Sequence, residues 1–150
     1  MSYKFMLFLI YIINIMAVKV MKAGTVPIFG NDKVVFVSSL KHPGRLVLPK
    51  GKIKNWEGPV DAARRETEEE CGAVGDIEFD VAYHNDATVY FLMYVKEMNK
   101  IFDDMEARDV KLLSFDEVED SLRIKSPIKR IIRDVKEIVR ARNGLQFSLF

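Results

Sequence analysis

The chain has 150 residues, 49% of them hydrophobic and 30% charged, and a formal net charge of +1. That length and balance suit one domain with a sizeable core. The near-zero charge excludes a protein drawn to nucleic acid or acidic membranes by its overall field, so any electrostatic message must be local. Cys71 is the single cysteine. An intramolecular disulfide is therefore excluded, as suits a reducing compartment, and Cys71 reads as a buried structural thiol. His42 and His84 show no metal-ligand spacing.

Residues 5–18 are the most apolar run of the chain. They fall short of the roughly 20 residues a helix needs to span a bilayer. Lys4 provides only a weak basic flank, and no small-x-small cleavage site follows. Three readings stand: a signal or interfacial anchor, an ordered apolar segment capping the domain, or a stretch ahead of a true start at Met16 or Met21. The last two together are favoured. The chain thus divides into an extension, residues 1–18, and a domain, residues 19–150.

From Lys19 the pattern is β-like. Lys22 to Phe29 reads as a strand, with Pro27 suggesting an edge or a bulge. Gly30 to Lys33 is a turn cluster, and Lys33 to Ser38 a second strand. Ser38 to Arg45 is a loop of hydroxyls and bases; Leu46 to Leu48 is a short buried strand feeding Pro49-Lys50-Gly51.

Residues 59–71 read as a helix. Pro59 suits its first turn, and Gly72 suits the left-handed position just past its end. Glu66, Glu69 and Glu70 fall at i, i+3 and i+4, so their carboxylates share a face. Three like charges there repel unless something positive sits among them. Either Arg64 and Arg65 balance a solvated acidic face, or the face serves a hard, oxygen-seeking cation such as Mg²⁺. The signs of charge are segregated along the chain. Between Asp32 and Glu57 no acid occurs, while Lys33, Lys41, Arg45, Lys50, Lys52 and Lys54 do; the helix then delivers Glu66, Glu68, Glu69 and Glu70. Bases to take up anionic charge beside carboxylates able to hold a cation are the electrostatics of a phosphate-ester site.

After Gly72, Gly75 to Tyr83 and Ala87 to Val95 read as a hairpin turning at His84-Asn85-Asp86. Lys96 to Met105 reads as a loop, Asp109 to Phe115 as a strand and Asp116 to Glu119 as a helical turn. Ser126 and Pro127 open a last helix as N-cap and first position. Ile128, Ile131, Ile132, Val135, Ile138 and Val139 form its core-facing stripe, and Asn143-Gly144 is expected to stop it.

Gly51, five residues, Glu57, seven residues, Arg65-Glu66, two residues, Glu69-Glu70, one residue and Gly72 resemble the Nudix box at every fixed polar and glycine position. Thr67 and Ala73 stand where larger aliphatics are usual. The resemblance covers about residues 19–142. It implies an α/β chain with the Nudix fold, an α/β/α sandwich around a mixed β-sheet. Within that superfamily, Val37 to Gly51 with its Ser38-Ser39-Leu40-Lys41-His42-Pro43-Gly44-Arg45 stretch is similar to the diphosphoinositol polyphosphate phosphohydrolases. Those enzymes often also cleave diadenosine polyphosphates, and some act on capped RNA.

The resemblance implies hydrolysis of a phosphoanhydride with Mg²⁺, or Mn²⁺ in its place, and a small-molecule polyphosphate substrate. Glu66, Glu70 and the Lys50 carbonyl match the metal ligands, and Glu69 matches the proton acceptor. Lys22, Ser39, Leu40, Lys41, Arg45, Lys52, Arg108 and Lys125 are expected at the substrate, and Arg65 and Glu57 behind the carboxylates. Lys50-Gly51-Lys52 replaces a glycine-rich run, and the turn at His84 to Asp86 lacks the family's basic cluster. A dinucleoside polyphosphatase or decapping enzyme is the near alternative, and a catalytically silent nucleotide-binding module a further one. The implied location is cytoplasmic, or nuclear as well. Membrane association is expected only if residues 5–18 anchor the chain.

Overall fold

The computed structural model describes residues 2–17, 19–99 and 108–148. The elements are α1 (Tyr3–Ala17), β1 (Lys22–Phe29), β2 (Lys33–Ser38), β3 (Leu46–Val47), β4 (Lys50–Lys52), α2 (Pro59–Cys71), β5 (Ala73–Asn85), β6 (Thr88–Met98), β7 (Val110–Ser114), α3 (Phe115–Asp120) and α4 (Ser126–Ser148). Among the described residues seven strands form one mixed sheet in the order β3-β2-β1-β6-β5, with β4 on β1 and β7 on β2. β1 and β6 run parallel, from Lys22 opposite Thr88 to Ile28 opposite Tyr94; the remaining pairs are antiparallel.

Alternation along the central strands loads both faces of the sheet. Val34 and Phe36 of β2 and Tyr90 and Leu92 of β6 pack with Phe115 and Val118 of α3 and with Ile128, Ile131, Ile132, Val135 and Val139 of α4. The intervening Val35, Val37, Val89, Phe91 and Met93 face the other way, among Ala62, Ala63 and Cys71 of α2. Two helical layers thus cover one sheet, the α/β/α sandwich. The stripe on α4 is its buried face, and Arg142 near the far end bonds the Glu78 carboxylate and, at 3.1 Å, the Tyr94 hydroxyl.

Thr67 faces inward from α2 and is fully buried. Its hydroxyl lies 2.7 Å from that of Thr25 in β1. A larger aliphatic side chain there would leave Thr25 without that partner.

Several expectations are corrected. Pro27 lies in a central strand, not at an edge. On the side of β1 away from β6, β4 pairs at Lys22 to Gly24 and β2 at Ile28 and Phe29. The Thr25 N–H points to that side, donating to the Pro49 carbonyl at 3.1 Å. By the two-residue period of a strand, the N–H that Pro27 lacks would fall in the gap between β4 and β2. β6 runs beyond Val95 because β5 begins at Ala73, giving Glu97 and Met98 partners in Val74 and Ala73. Lys96 to Met98 is therefore strand; residues 100–105 of the expected loop lie outside the described residues. The hairpin turns at Asp86 and Ala87, one residue later than expected, with Asp86 at φ 53°. Ser126 is already helical, and Ile128 and Lys129 donate to the Lys125 carbonyl at 3.1 Å. α4 continues past Gly144 to Ser148. A glycine ends a helix by turning left-handed, and Gly144 is not among the positive-φ glycines.

Within residues 5–18, α1 is helical to Ala17, and its side chains from Tyr3 to Ile10 are exposed. No described helix is long and apolar enough to cross a membrane.

Thr67→Val is expected to destabilise the fold by about 1–3 kcal/mol, because it leaves a buried hydroxyl unpaired. Adding Thr25→Val should recover most of the loss. Urea unfolding of both single variants and the double variant checks the coupling.

Candidate active site

α2 is shaped by its ends. Pro59 fills the first turn, Gly58 precedes it in extended backbone, and Gly72 at φ 75° donates to the Glu68 carbonyl. Ala62, Ala63, Thr67 and Cys71 are buried, so the helix lies close against the sheet. Cys71 donates to the Thr67 carbonyl, and burial pushes its thiol up to about 11. It is an inert packing group.

The same seating decides where the carboxylates go. Glu70 is buried, with 3% exposure, and its Oε2 accepts the Lys50 N–H at 3.1 Å. Glu66 presses on the backbone of β4: a Cβ at Gly51 would come within 2.0 Å of its carboxyl carbon. Glycine is required at that position for the carboxylate to sit there. Glu69 lies further out, half exposed.

Arg65 gathers the acids. Its guanidinium donates to Glu57 Oε1 at 2.6 Å and Oε2 at 3.1 Å. It also donates to Glu66 Oε1 at 2.8 Å, to Glu69 Oε2 at 3.1 Å and to the Lys52 carbonyl at 3.1 Å. Glu57 in turn accepts the Lys54 N–H at 2.9 Å, which ties the loop between β4 and α2 to the helix. The bond from Arg65, then that from Lys54, holds the Glu57 carboxyl down at about 2 from an ordinary 4.5. Arg64 turns away to Asp61. The repulsion expected among the three glutamates is thus offset by arginine: Arg65 for two of them, and Arg108 for the third, at 3.3 Å from Glu70 Oε1.

Across the end of the sheet lies a cavity of about 470 Å³. Of the residues expected at a substrate, Lys22, Ser39, Leu40, Lys41, Arg45, Arg108 and Lys125 line it, and so does the Lys50 side chain. Lys52 is exposed and outside that lining. Strand pairing explains the convergence. Lys22 starts β1 and Lys50 starts β4, two positions apart in the same antiparallel ladder. The loop carrying Ser39 to Arg45 is closed by Ser39 N–H donating to the Arg45 carbonyl at 2.9 Å. Burial, then the nearby Lys22, lowers the Lys50 ammonium. Its Nζ stands 6.0 Å from the centre of the Tyr90 ring.

His42, Asn85, Asp86 and Tyr90 also line the cavity, and sequence reasoning did not place them there. For Tyr90 the sequence held no signal, since it reaches the cavity through its parallel pairing opposite Gly24. For Asp86 the signal was the hairpin turn.

A family model described as NUDIX domain matches residues 19–135. The chain belongs to the Nudix family. Among solved structures, this Nudix chain is similar to a C. elegans Ap4A hydrolase, at 18% identity over 80% of this chain and 98% of that one, with a TM-score of 0.67. A NUDIX-family hydrolase from Clostridium perfringens matches at 16% identity over 78% and 95%, TM-score 0.62. A structure from work on MutT of Aliivibrio salmonicida and Vibrio cholerae matches at 16% identity over 78% and 96%, TM-score 0.60. These likenesses show the fold. A search of curated proteins found no match.

Nudix hydrolases generally use divalent metals. Among the described residues no three acids, histidines or cysteines close on one point as a metal cage would. Mg²⁺ does not need a cage: it is commonly held by one or two carboxylates and keeps several waters. Glu70 and Glu66, the latter reached past a glycine, are carboxylates of the type such an ion takes.

Glu57 gives a pH test of this architecture. Its folded pKa lies below its unfolded value, so its contribution is full above about 4.5 and is lost as pH falls through about 2. Glu57→Gln is expected to flatten the stability–pH curve in that window. Unfolding midpoints across acid pH, wild type against variant, measure it.

Proposed function

We propose that this Nudix hydrolase cleaves phosphoanhydride bonds in densely phosphorylated small molecules, of the diphosphoinositol polyphosphate or diadenosine polyphosphate kind. The observation that carries the proposal is the lining of the cavity: Lys22, Lys41, Arg45, Lys50, Arg108 and Lys125 against Asp86, directly beside Glu70. Such a wall suits a ligand bearing several negative charges. The Ser38 to Arg45 stretch supports the inositol reading. The likeness to the C. elegans Ap4A hydrolase supports the dinucleotide one. A silent binding module is disfavoured because Glu66, Glu69, Glu70 and Arg65 are all present.

In this reading Glu66, Glu70 and the Lys50 carbonyl would hold Mg²⁺ or Mn²⁺. The ion, when bound, lowers the pKa of a water and offsets negative charge on the phosphate. Glu69, the most accessible of the three carboxylates, takes the proton of the attacking water. Water oxygen bonds to phosphorus, and the bridging P–O bond breaks. The departing phosphate keeps the electron pair, and the lysines and arginines of the cavity stabilise its charge. Arg65 touches no substrate; it fixes Glu66 and Glu69 in orientation. Capped RNA would enter as another anhydride bearing a nucleotide.

Glu69→Gln is expected to lower kcat by about 10²–10⁴-fold, the range of a lost acid–base step. Its circular dichroism spectrum should not change, since the side chain is half exposed. Wild-type turnover in that variant removes Glu69 from the chemistry.

A substrate panel with Mg²⁺ tests the activity. It contains a diphosphoinositol polyphosphate, diadenosine tetra- and hexaphosphate, a nucleoside triphosphate and capped RNA. Diphosphoinositol or diadenosine substrates should rank first; silence on every member would favour the binding module.

A further inference from the structure

Arg108 stands out among the basic groups of the cavity because it faces two ways. One terminal nitrogen lies 3.3 Å from Glu70 Oε1, and the side chain is only 16% exposed. Its Nε is buried without a hydrogen-bond partner among the described residues. The same side chain lines the cavity. A guanidinium has five donors in a rigid fork, and an unmet one inside a protein is costly. The present seat of Arg108 therefore leaves part of its bonding capacity unused.

Glu70 is constrained from the other side. Its Oε2 accepts the Lys50 N–H, and Oε1 is the oxygen turned toward Arg108. Two cations cannot share that oxygen at close range without strong mutual repulsion in a buried setting. We propose that Arg108 and the divalent cation exchange at Glu70: the cation takes the carboxylate, and the released guanidinium turns into the cavity to bind a substrate phosphate. Arg108 is then a positioning residue for the metal-free site and a phosphate ligand in the loaded one. The exchange makes phosphate binding by Arg108 depend on prior metal binding. It rests on the reading of Glu70 as a metal ligand.

The exchange predicts opposite signs for two affinities. Arg108→Met, which keeps the apolar stem but removes the competing charge, should bind Mn²⁺ about tenfold more tightly in the absence of any phosphate ligand. That is the scale of one charge-assisted hydrogen bond. At saturating Mn²⁺ the same variant should bind inorganic tripolyphosphate, as its manganese complex, about tenfold more weakly. Both are read by titration calorimetry, with Mn²⁺ binding cross-checked by electron paramagnetic resonance. Arg108→Gln serves as the second variant should the methionine form fail to fold.

A merely structural role for Arg108 would weaken both affinities together, and that result overturns the exchange. Unchanged Mn²⁺ affinity in a folded variant overturns it as well. Glu70→Gln separates the premise from the proposal. If wild-type Mn²⁺ binding survives that substitution unchanged, the cation is not held by Glu70, and the underlying reading fails with the exchange. If binding is lost in Glu70→Gln and yet Arg108→Met leaves it untouched, only the exchange fails.

Discussion

One guanidinium holds the working end of this protein in shape. Arg65 bonds Glu57, Glu66 and Glu69 and the Lys52 carbonyl at once. Without it, three acids of the loop-helix unit would repel one another, and the loop from β4 would lose its tie to α2. The planar fork matters here. A lysine is a point charge and could not span a bidentate carboxylate and three further acceptors in fixed directions. The arrangement also explains why the spacing between Glu57 and Arg65 is fixed: it sets the length of loop that can be folded back against the first turns of the helix.

The sheet supplies the other half of the design. β1 takes partners from three strands, β6 along one side and β4 then β2 along the other. That split brings Lys50 beside the start of β1 and leaves a gap that tolerates Pro27. It also sets the backbones close: a Cβ at Gly24 would meet the Pro49 carbonyl at 2.1 Å. The glycine lets the segment before β4 lie directly on the central strand. Carboxylates on α2 and bases on β1, β4 and the loop after β2 thereby meet at one end of the sandwich.

Much of this was legible in the sequence where the signal is local. The span of α2 follows from Pro59 and Gly72, and the buried stripe of α4 from its isoleucine spacing. What stayed hidden depends on pairs far apart in the chain. Thr67 looks like a weaker version of an aliphatic until Thr25 is brought opposite it. Arg108 is one more base after a hairpin until the fold sets it on Glu70. Tyr90 and Asp86 reach the cavity only through the parallel register of β1 and β6 and the turn that follows β5. Gly144 misled for a different reason: glycine permits a left-handed stop but does not compel one.

β2 carries apolar side chains toward both layers, Val34 and Phe36 to one and Val35 and Val37 to the other. Such a strand has little stake in which way up it lies, since a slip by a single residue would still bury four hydrophobic groups. Its frame is therefore imposed from outside, by the tight link Gly30-Asn31-Asp32 that sets Phe29 opposite Lys33, with Gly30 at φ 64°. Lengthening that link by one residue would invert the strand, turn Lys33 inward toward the opposite layer and carry the cavity-lining loop after Ser38 away from its present anchorage. The three-residue link is thus a spacer whose length, more than its chemistry, keeps the distant cavity in alignment.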